Sequence, residues 1–125
     1  MLMAWWEGHG LKPLGKIIFP NGGAVAYAGN RPVAMAFLYL DRDGRLGMIE
    51  WTSTNPARDI PGRDKLCGVK ALWAHLEMEA RLMGCKCMLS MVRPGSSEER
   101  MMTRLGWVGS GDQEIPHVMY AKQLN

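Results

Sequence analysis

An α+β domain built on a mixed sheet is what this sequence predicts, and three observations predict it. Short β-rich runs separated by turn residues fill the chain as far as Asn55-Pro56. From Asp64 onward the apolar residues recur every three or four positions, the period of a helix face. A new β-rich run then starts directly after that helix, at Cys85, the pattern of a crossover that sets two strands parallel. The 125 residues suit one domain over 1–125, long enough to enclose a single core.

The first twenty residues carry the least pattern. Leu2 to Glu7 predicts one or two helical turns ended by Gly8 and Gly10, and Lys12-Pro13-Leu14-Gly15 reads as a loop. Ile17-Ile18-Phe19 is a short apolar stretch stopped by Pro20 and the turn signal Asn21-Gly22-Gly23. Residues 24–28 and 33–40 read as two strands joined across Gly29-Asn30 into a hairpin. Asp41-Arg42-Asp43-Gly44 makes a second turn into a third strand, 46–54, which completes an antiparallel meander.

Leu66, Val69, Trp73, Leu76, Ala80 and Met83 then share one helical face, while Lys65, Lys70, Glu77, Glu79 and Arg81 occupy much of the rest. The plain reading of this Trp and Met stripe is core packing against the sheet. Gly84 is a C-terminal stop, and 85–92 is a strand ended by Arg93-Pro94-Gly95. Ser96 or Ser97 caps a second helix over 98–105. Trp107-Val108 starts another strand, and 116–122 forms the last one.

Composition narrows the function classes. The chain is 47% hydrophobic and 22% charged, ordinary for a soluble globular protein. Its net charge of +3 is spread over scattered basic residues, which gives no argument for a nucleic-acid partner. No stretch approaches the ~18 apolar residues of a membrane span. The run Met1 to Trp6, followed by Glu7, is too short for a signal peptide core. Cys85 and Cys87 would point to the same face of one strand, unsuited to a disulfide. Cys67, His9, His75 and His117 show no zinc-ligand spacing, so no metal is expected. Reduced thiols and a cytoplasmic location are the expectation.

The chemistry concentrates between Met48 and Gly84. A strand runs into a short loop, 57–63, and re-forms as a helix, which is a natural cradle for a phosphate. The helix start offers unpaired N–H groups, Gly62 lets the backbone come close, and Arg58, Arg63 and Lys65 add positive charge. No Walker or Rossmann glycine pattern is present. Glu50 lies in the middle of an otherwise apolar strand. Alternation puts Glu50, Thr52 and Thr54 on one face and Ile49, Trp51 and Ser53 on the other. Two readings of Glu50 stand side by side: a solvated or Arg-paired carboxylate, and a functional one. Tyr39 and Tyr120 read as sheet-face aromatics, and His75 and His117 have no legible partner.

The order of elements over about residues 17–123 resembles the GNAT superfamily of acyl-CoA-dependent N-acetyltransferases. In that family the loop after the central strand carries Arg/Gln-x-x-Gly-x-Gly/Ala following a Pro. Here Pro56 is present, Gly62 falls at the first motif glycine, and Arg58 sits one place from the usual Arg. Leu105-Gly106-Trp107 resembles the family's Leu-Gly-Phe. The likeness is greatest to small, divergent phage and prophage members, which carry Asn-Pro, several polar residues and an Arg at the helix start. Asn55-Pro56 and Arg63-Asp64-Lys65 agree with that form.

The resemblance implies a central twisted mixed sheet with an N-terminal meander and one long and one short helix packed on it. It implies acetyl-CoA as co-substrate and an amine as acceptor. The backbone of Thr52, Ser53 and Thr54 would pair with the pantetheine arm, Arg58, Gly62, Arg63, Asp64 and Lys65 would surround the pyrophosphate, and Glu50 would be the general base. Two positions depart from the pattern. Asp64 replaces the second Gly or Ala, where as an N-cap it would stabilise the helix by about 1 kcal/mol yet compete for the N–H groups a phosphate needs. Met102 replaces the Tyr that many members use as acid, leaving Ser96, Ser97 and Thr103 as the nearest hydroxyls. The alternative is a non-catalytic protein of this fold that binds an acyl-CoA or a protein partner. The eleven Met and five Trp residues supply adaptable apolar surface, including a homodimer contact through Trp5-Trp6 or the last strand.

Overall fold

The computed structural model describes residues 2–10, 22–41, 43–109 and 118–123. Its elements are α1 (Leu2–Gly8), β1 (Gly23–Ala28), β2 (Arg31–Leu40), β3 (Leu46–Thr54), α2 (Gly62–Leu82), β4 (Cys87–Val92), α3 (Ser97–Arg104), β5 (Val108–Gly109) and β6 (Val118–Gln123). They build one mixed sheet in the order β1-β2-β3-β4-β6-β5. Every neighbouring pair is antiparallel except β3 and β4, which the α2 crossover sets parallel. The expected α+β architecture is therefore the observed one. The apolar stretch 17–19, the loop at 12–15 and His117 lie outside the described residues.

Local chemistry explains the turns. Ala28 pairs with Arg31, so only Gly29 and Asn30 form the hairpin loop, with Gly29 at φ +63° in the first central position. That is the pattern of a type II′ turn, whose twist matches the flanking strands. In the next turn the Asp41 carboxylate accepts the N–H groups of Arg45 (2.8 Å) and Leu46 (3.0 Å).

The core lies between the sheet and α2. Val69, Leu72, Trp73, Leu76 and Ala80 meet Ala34, Ala36, Leu38, Ile49 and Met88, joined by Met102 and Trp107. The predicted stripe is corrected at both ends: Leu66 is 47% exposed and Met83 is 62% exposed. Leu66 is the fifth helical residue, close to the helix start, and Met83 follows the last one, so neither stands over the sheet. Gly68 takes up part of the buried face instead. A Cβ there would come within 2.6 Å of Val33 Cγ2, so the close approach of α2 to β2 requires glycine.

Both helices that cover this face end in the same way. After α2, Gly84 at φ +91° lets its N–H reach Arg81 O (3.0 Å) and the Cys85 N–H reach Ala80 O (2.9 Å). After α3, Gly106 at φ +87° directs its N–H to Thr103 O (3.2 Å) and the Trp107 N–H to Met102 O (3.0 Å). Each is a Schellman ending in which the residue after glycine packs against the last turn. Leu105-Gly106-Trp107 is thus a stop signal that plants an indole in the core. Gly84→Ala is expected to lose about 1–2 kcal/mol, because a Cβ disfavours the left-handed conformation. A lowered denaturation midpoint at unchanged slope would report it.

This cap also corrects the cysteine geometry. Cys85 precedes β4 and is buried in the core, Cys87 starts the strand half-buried, and Cys67 is exposed on α2; all three are free thiols. Burial pushes the Cys85 thiol pKa up. Ser96 is the cap of α3, accepting the Glu99 N–H at 3.2 Å, and the Glu99 carboxylate reaches back to the Gly95 N–H at 2.9 Å.

On the opposite face α1 packs its indoles down. Trp5 (7% exposed) and Trp6 (5%) pack with Met35, and Val25, Phe37 and Trp51 join the cluster. The expectation of a dimer contact through Trp5-Trp6 is corrected by this burial, and β6 lies inside the sheet rather than at its edge. No described helix is long and apolar enough to cross a membrane.

Candidate functional site

The parallel ladder between β3 and β4 is short: Leu46 faces Cys87, Gly47 faces Met88 and Met48 faces Leu89, and there it stops. Beyond that point β3 continues alongside β2 as far as Thr54, while β4 continues alongside β6 as far as Val92. The two central strands therefore part. Side chains bridge the start of the gap: Ser90 Oγ donates to Ile49 O at 2.7 Å, and the Met91 N–H donates to Glu50 Oε1 at 2.9 Å.

A bulge reshapes β3 beside this opening. Phe37 pairs with Glu50 but Met35 pairs with Ser53, so Trp51 and Thr52 together oppose Ala36. Trp51 has φ +58°, the one positive value outside glycine among the described residues, and an outlier of this kind marks stored local strain. The extra residue resets the alternation, which corrects the predicted faces. Ile49 and Thr52 look toward α2, where Thr52 Oγ1 accepts the Trp73 Nε1–H at 3.0 Å. Trp51 and Ser53 look toward α1: the Trp6 and Trp51 rings lie 5.3 Å apart, and Ser53 Oγ accepts the Trp6 Nε1–H at 2.9 Å. Glu50 shares the α1 side with its register partner Phe37, not the Thr52 side. Tyr39 accepts the Trp51 Nε1–H at 2.7 Å, which braces the bulged residue.

Glu50 is neither freely solvated nor paired with an Arg among the described residues. It is half-buried, and that desolvation raises its pKa above the ordinary carboxylate range, while the Met91 N–H works in the other direction. A carboxylate held this way at the start of a gap can accept a proton as a base.

The far end of the gap is built by Asn55 and the loop. The Asn55 N–H donates to Val33 O at 2.9 Å. By antiparallel alternation, the backbone polar groups of Ser53 face Met35 on β2, whereas those of Thr52 and Thr54 face away from β2 into the gap. The Asn55 side chain donates to Pro32 O (2.9 Å) and accepts the Ala57 N–H (3.0 Å), locking the strand exit. Lys65 Nζ donates to Ala57 O at 2.9 Å, so this cation anchors the loop to α2. Arg31, at the start of β2, forks onto Asp59 at 2.5 and 2.8 Å. Hydrogen bonding by that guanidinium lowers the Asp59 pKa. Nothing in the sequence near residue 59 signals this clamp, because its partner is 28 positions away.

The helix start differs from the expectation. The N-cap of α2 is Pro61, with no side-chain cap bond, and Asp64 is the third helical residue rather than the cap. The Gly62 and Arg63 N–H groups have no hydrogen-bond partner among the described residues. Gly62 opens on free space, and Arg58 and Arg63 are exposed without an ion pair among the described residues. Such a helix end, with two free guanidinium groups beside it, suits an anion.

The remaining predicted groups stand elsewhere. Met102 is 0% exposed, inside the core. Ser96 Oγ is committed to its cap, and Thr103 Oγ1 donates to Glu99 O at 3.0 Å. His75 pairs with Glu79 on the helix surface at 3.0 Å, and Tyr120 stands opposite Ser90 in the register of β6. No group of three His, Cys, Asp or Glu side chains able to hold a metal exists among the described residues. An apolar cavity of about 550 Å³ lies at the other end of α2, lined by Leu38, Leu40, Leu82 and Met83. Gly22 and the Glu79 side chain also line it, and among the described residues no cation does.

No protein-family model matches the chain, and no curated protein matches it by sequence. Solved structures do match by fold. N-acetylglutamate synthase from Neisseria gonorrhoeae, complexed with coenzyme A and N-acetyl-glutamate, superposes with a TM-score of 0.69 at 14% identity, over 99% of this chain and 32% of that one. A Klebsiella pneumoniae protein described as an acyl-CoA N-acyltransferase gives 0.64 at 21% identity, over 99% and 85%. Ard1 from Thermoplasma volcanium gives 0.64 at 13%, over 99% and 76%. The chain thus spans about a third of the synthase and most of the other two. Its fold is that of the GNAT acetyltransferases.

Proposed function

We propose that the protein is an acyl-CoA-dependent N-acetyltransferase acting on a primary amine. One observation carries the reading. The strands part immediately after Met48 and Leu89, with the Glu50 carboxylate at the start of the gap and an uncapped, Arg-flanked helix N-terminus beyond its far end. In this reading the Thr52 and Thr54 backbone groups pair with the pantetheine arm of acetyl-CoA, while Ser53 supports α1 through its hydroxyl. The Gly62 and Arg63 N–H groups, with Arg58 and Arg63, take the pyrophosphate. Lys65 holds the loop, and Asp64 lies beside the phosphate site without covering it.

Glu50 takes a proton from the acceptor ammonium, directly or through one water. The neutral amine attacks the thioester carbonyl, the C–N bond forms, the C–S bond breaks, and the second nitrogen proton passes to water. The departing thiolate takes its proton from water, since the α3 position expected to supply an acid is a core methionine. The same reading includes a cytoplasmic setting with reduced thiols and kinship with the small phage-type members. A homodimer would use edge strand β1 or β5.

Titration calorimetry with acetyl-CoA tests the cradle. Arg58→Ala and Arg63→Ala are each expected to weaken binding by about tenfold, the usual effect of losing a charge-assisted contact. No binding by the wild type at millimolar acetyl-CoA would sink the proposal. The burial of Met102 favours a second reading, a non-catalytic acyl-CoA binder of this fold. That protein would bind acetyl-CoA and acetylate none of a broad amine panel.

A further inference from the structure

We infer that the end of the first helix is a built-in competitor for the cofactor arm: His9 occupies the Thr54 carbonyl that the arm requires, so seating of His9 and binding of acetyl-CoA oppose each other. The inference rests on the acyl-CoA reading above. Three contacts place residues 5–9 over the last residues of β3 and over Pro56. The Trp6 Nε1–H donates to Ser53 Oγ at 2.9 Å, a Cβ on Gly8 would meet Pro56 Cγ at 2.5 Å, and His9 Nε2 donates to Thr54 O at 2.8 Å. Only the third uses a group on the gap side of the strand. The Thr54 carbonyl points away from β2, and beyond Met48 it has no β4 partner. A strand edge left unpaired in this way takes whatever donor is at hand, and the imidazole is that donor.

The surrounding residues let His9 leave without unseating the helix. Trp5 and Trp6 hold α1 down from the face of the sheet, through contacts that do not involve the gap. His9 itself is exposed and lies between two glycines, and Gly10 has φ +75° with free space where a side chain would be. The His9 N–H is held by Trp5 O and Trp6 O at the helix end, so rotation about the exposed side chain's own torsions is enough to swing the imidazole off the carbonyl while the indoles stay packed. The apparent affinity for acetyl-CoA is then the intrinsic affinity reduced by the fraction of molecules with the carbonyl free.

The test is acetyl-CoA titration of the wild type, His9→Ala and His9→Gln, with near-UV circular dichroism to verify that the aromatic cluster stays packed. His9→Ala is expected to bind about two- to tenfold tighter, the range of one exposed hydrogen bond removed from competition. His9→Gln, which keeps a side-chain N–H donor, is expected to restore wild-type affinity. A merely structural contact would give the opposite sign for His9→Ala. Equal or weaker binding by His9→Ala, in a wild-type background that does bind, overturns the inference and leaves the cofactor reading intact. Failure of all three proteins to bind at millimolar acetyl-CoA overturns both.

Discussion

Glu50→Gln is expected to lower turnover by about 10²–10⁴-fold while leaving acetyl-CoA affinity close to wild type. The substitution removes a proton acceptor and little else. Glutamine keeps the Oε1 oxygen that receives the Met91 N–H, so the bridge across the start of the gap survives. Stability provides an independent readout. Burial raises the Glu50 pKa, which means the folded state holds the proton more tightly than the unfolded chain does. The charged form therefore costs stability, a cost that grows as pH rises from the unfolded carboxylate range through the folded pKa and is full above it. Glu50→Gln should be at least as stable as wild type at neutral pH, and the difference should vanish on acidification through that window. Urea unfolding at several pH values, beside steady-state kinetics, separates the two roles. Unchanged turnover on a genuine amine substrate would remove Glu50 from the mechanism.

The second large effect falls on Trp73, where core and site meet. Its ring is 2% exposed on the inner face of α2, and its Nε1–H holds the Thr52 hydroxyl at 3.0 Å. Trp73→Ala should cost about 3–5 kcal/mol through lost burial and the cavity left behind. That is a large part of the roughly 5–15 kcal/mol that holds a typical domain folded. Trp73→Phe keeps most of the ring but leaves the Thr52 hydroxyl without its donor, and should cost about 1–2 kcal/mol. Denaturant titration ranks the two. A Trp73→Ala protein within about 1 kcal/mol of wild type would show that α2 is not anchored through this indole.

Much of the fold was legible because its signals are local. The meander follows from Gly29-Asn30 and Asp41, each of which shapes its own turn. The core face of α2 follows from the spacing of Val69, Trp73, Leu76 and Ala80, and both helix stops follow from Gly84 and Gly106. The loop cations at Arg58, Arg63 and Lys65, and the placing of Glu50 in an otherwise apolar strand, were likewise visible as residue types out of keeping with a plain strand or turn.

What the sequence by itself determined is the element order, the crossover that sets β3 and β4 parallel, and the chemistry available at residues 50–65. Only the tertiary structure decided how those groups are used. The bulge at Trp51 and Thr52 moved Glu50 and Thr52 to opposite faces, because one extra residue in a strand reverses the alternation after it. Lys65 became a loop anchor, Asp59 acquired Arg31, and Thr54 acquired His9, each through a partner at least eight positions away. Met102 became core. Pairings of that kind depend on where the packed sheet brings distant segments together, and neither spacing nor residue type along the chain encodes that distance.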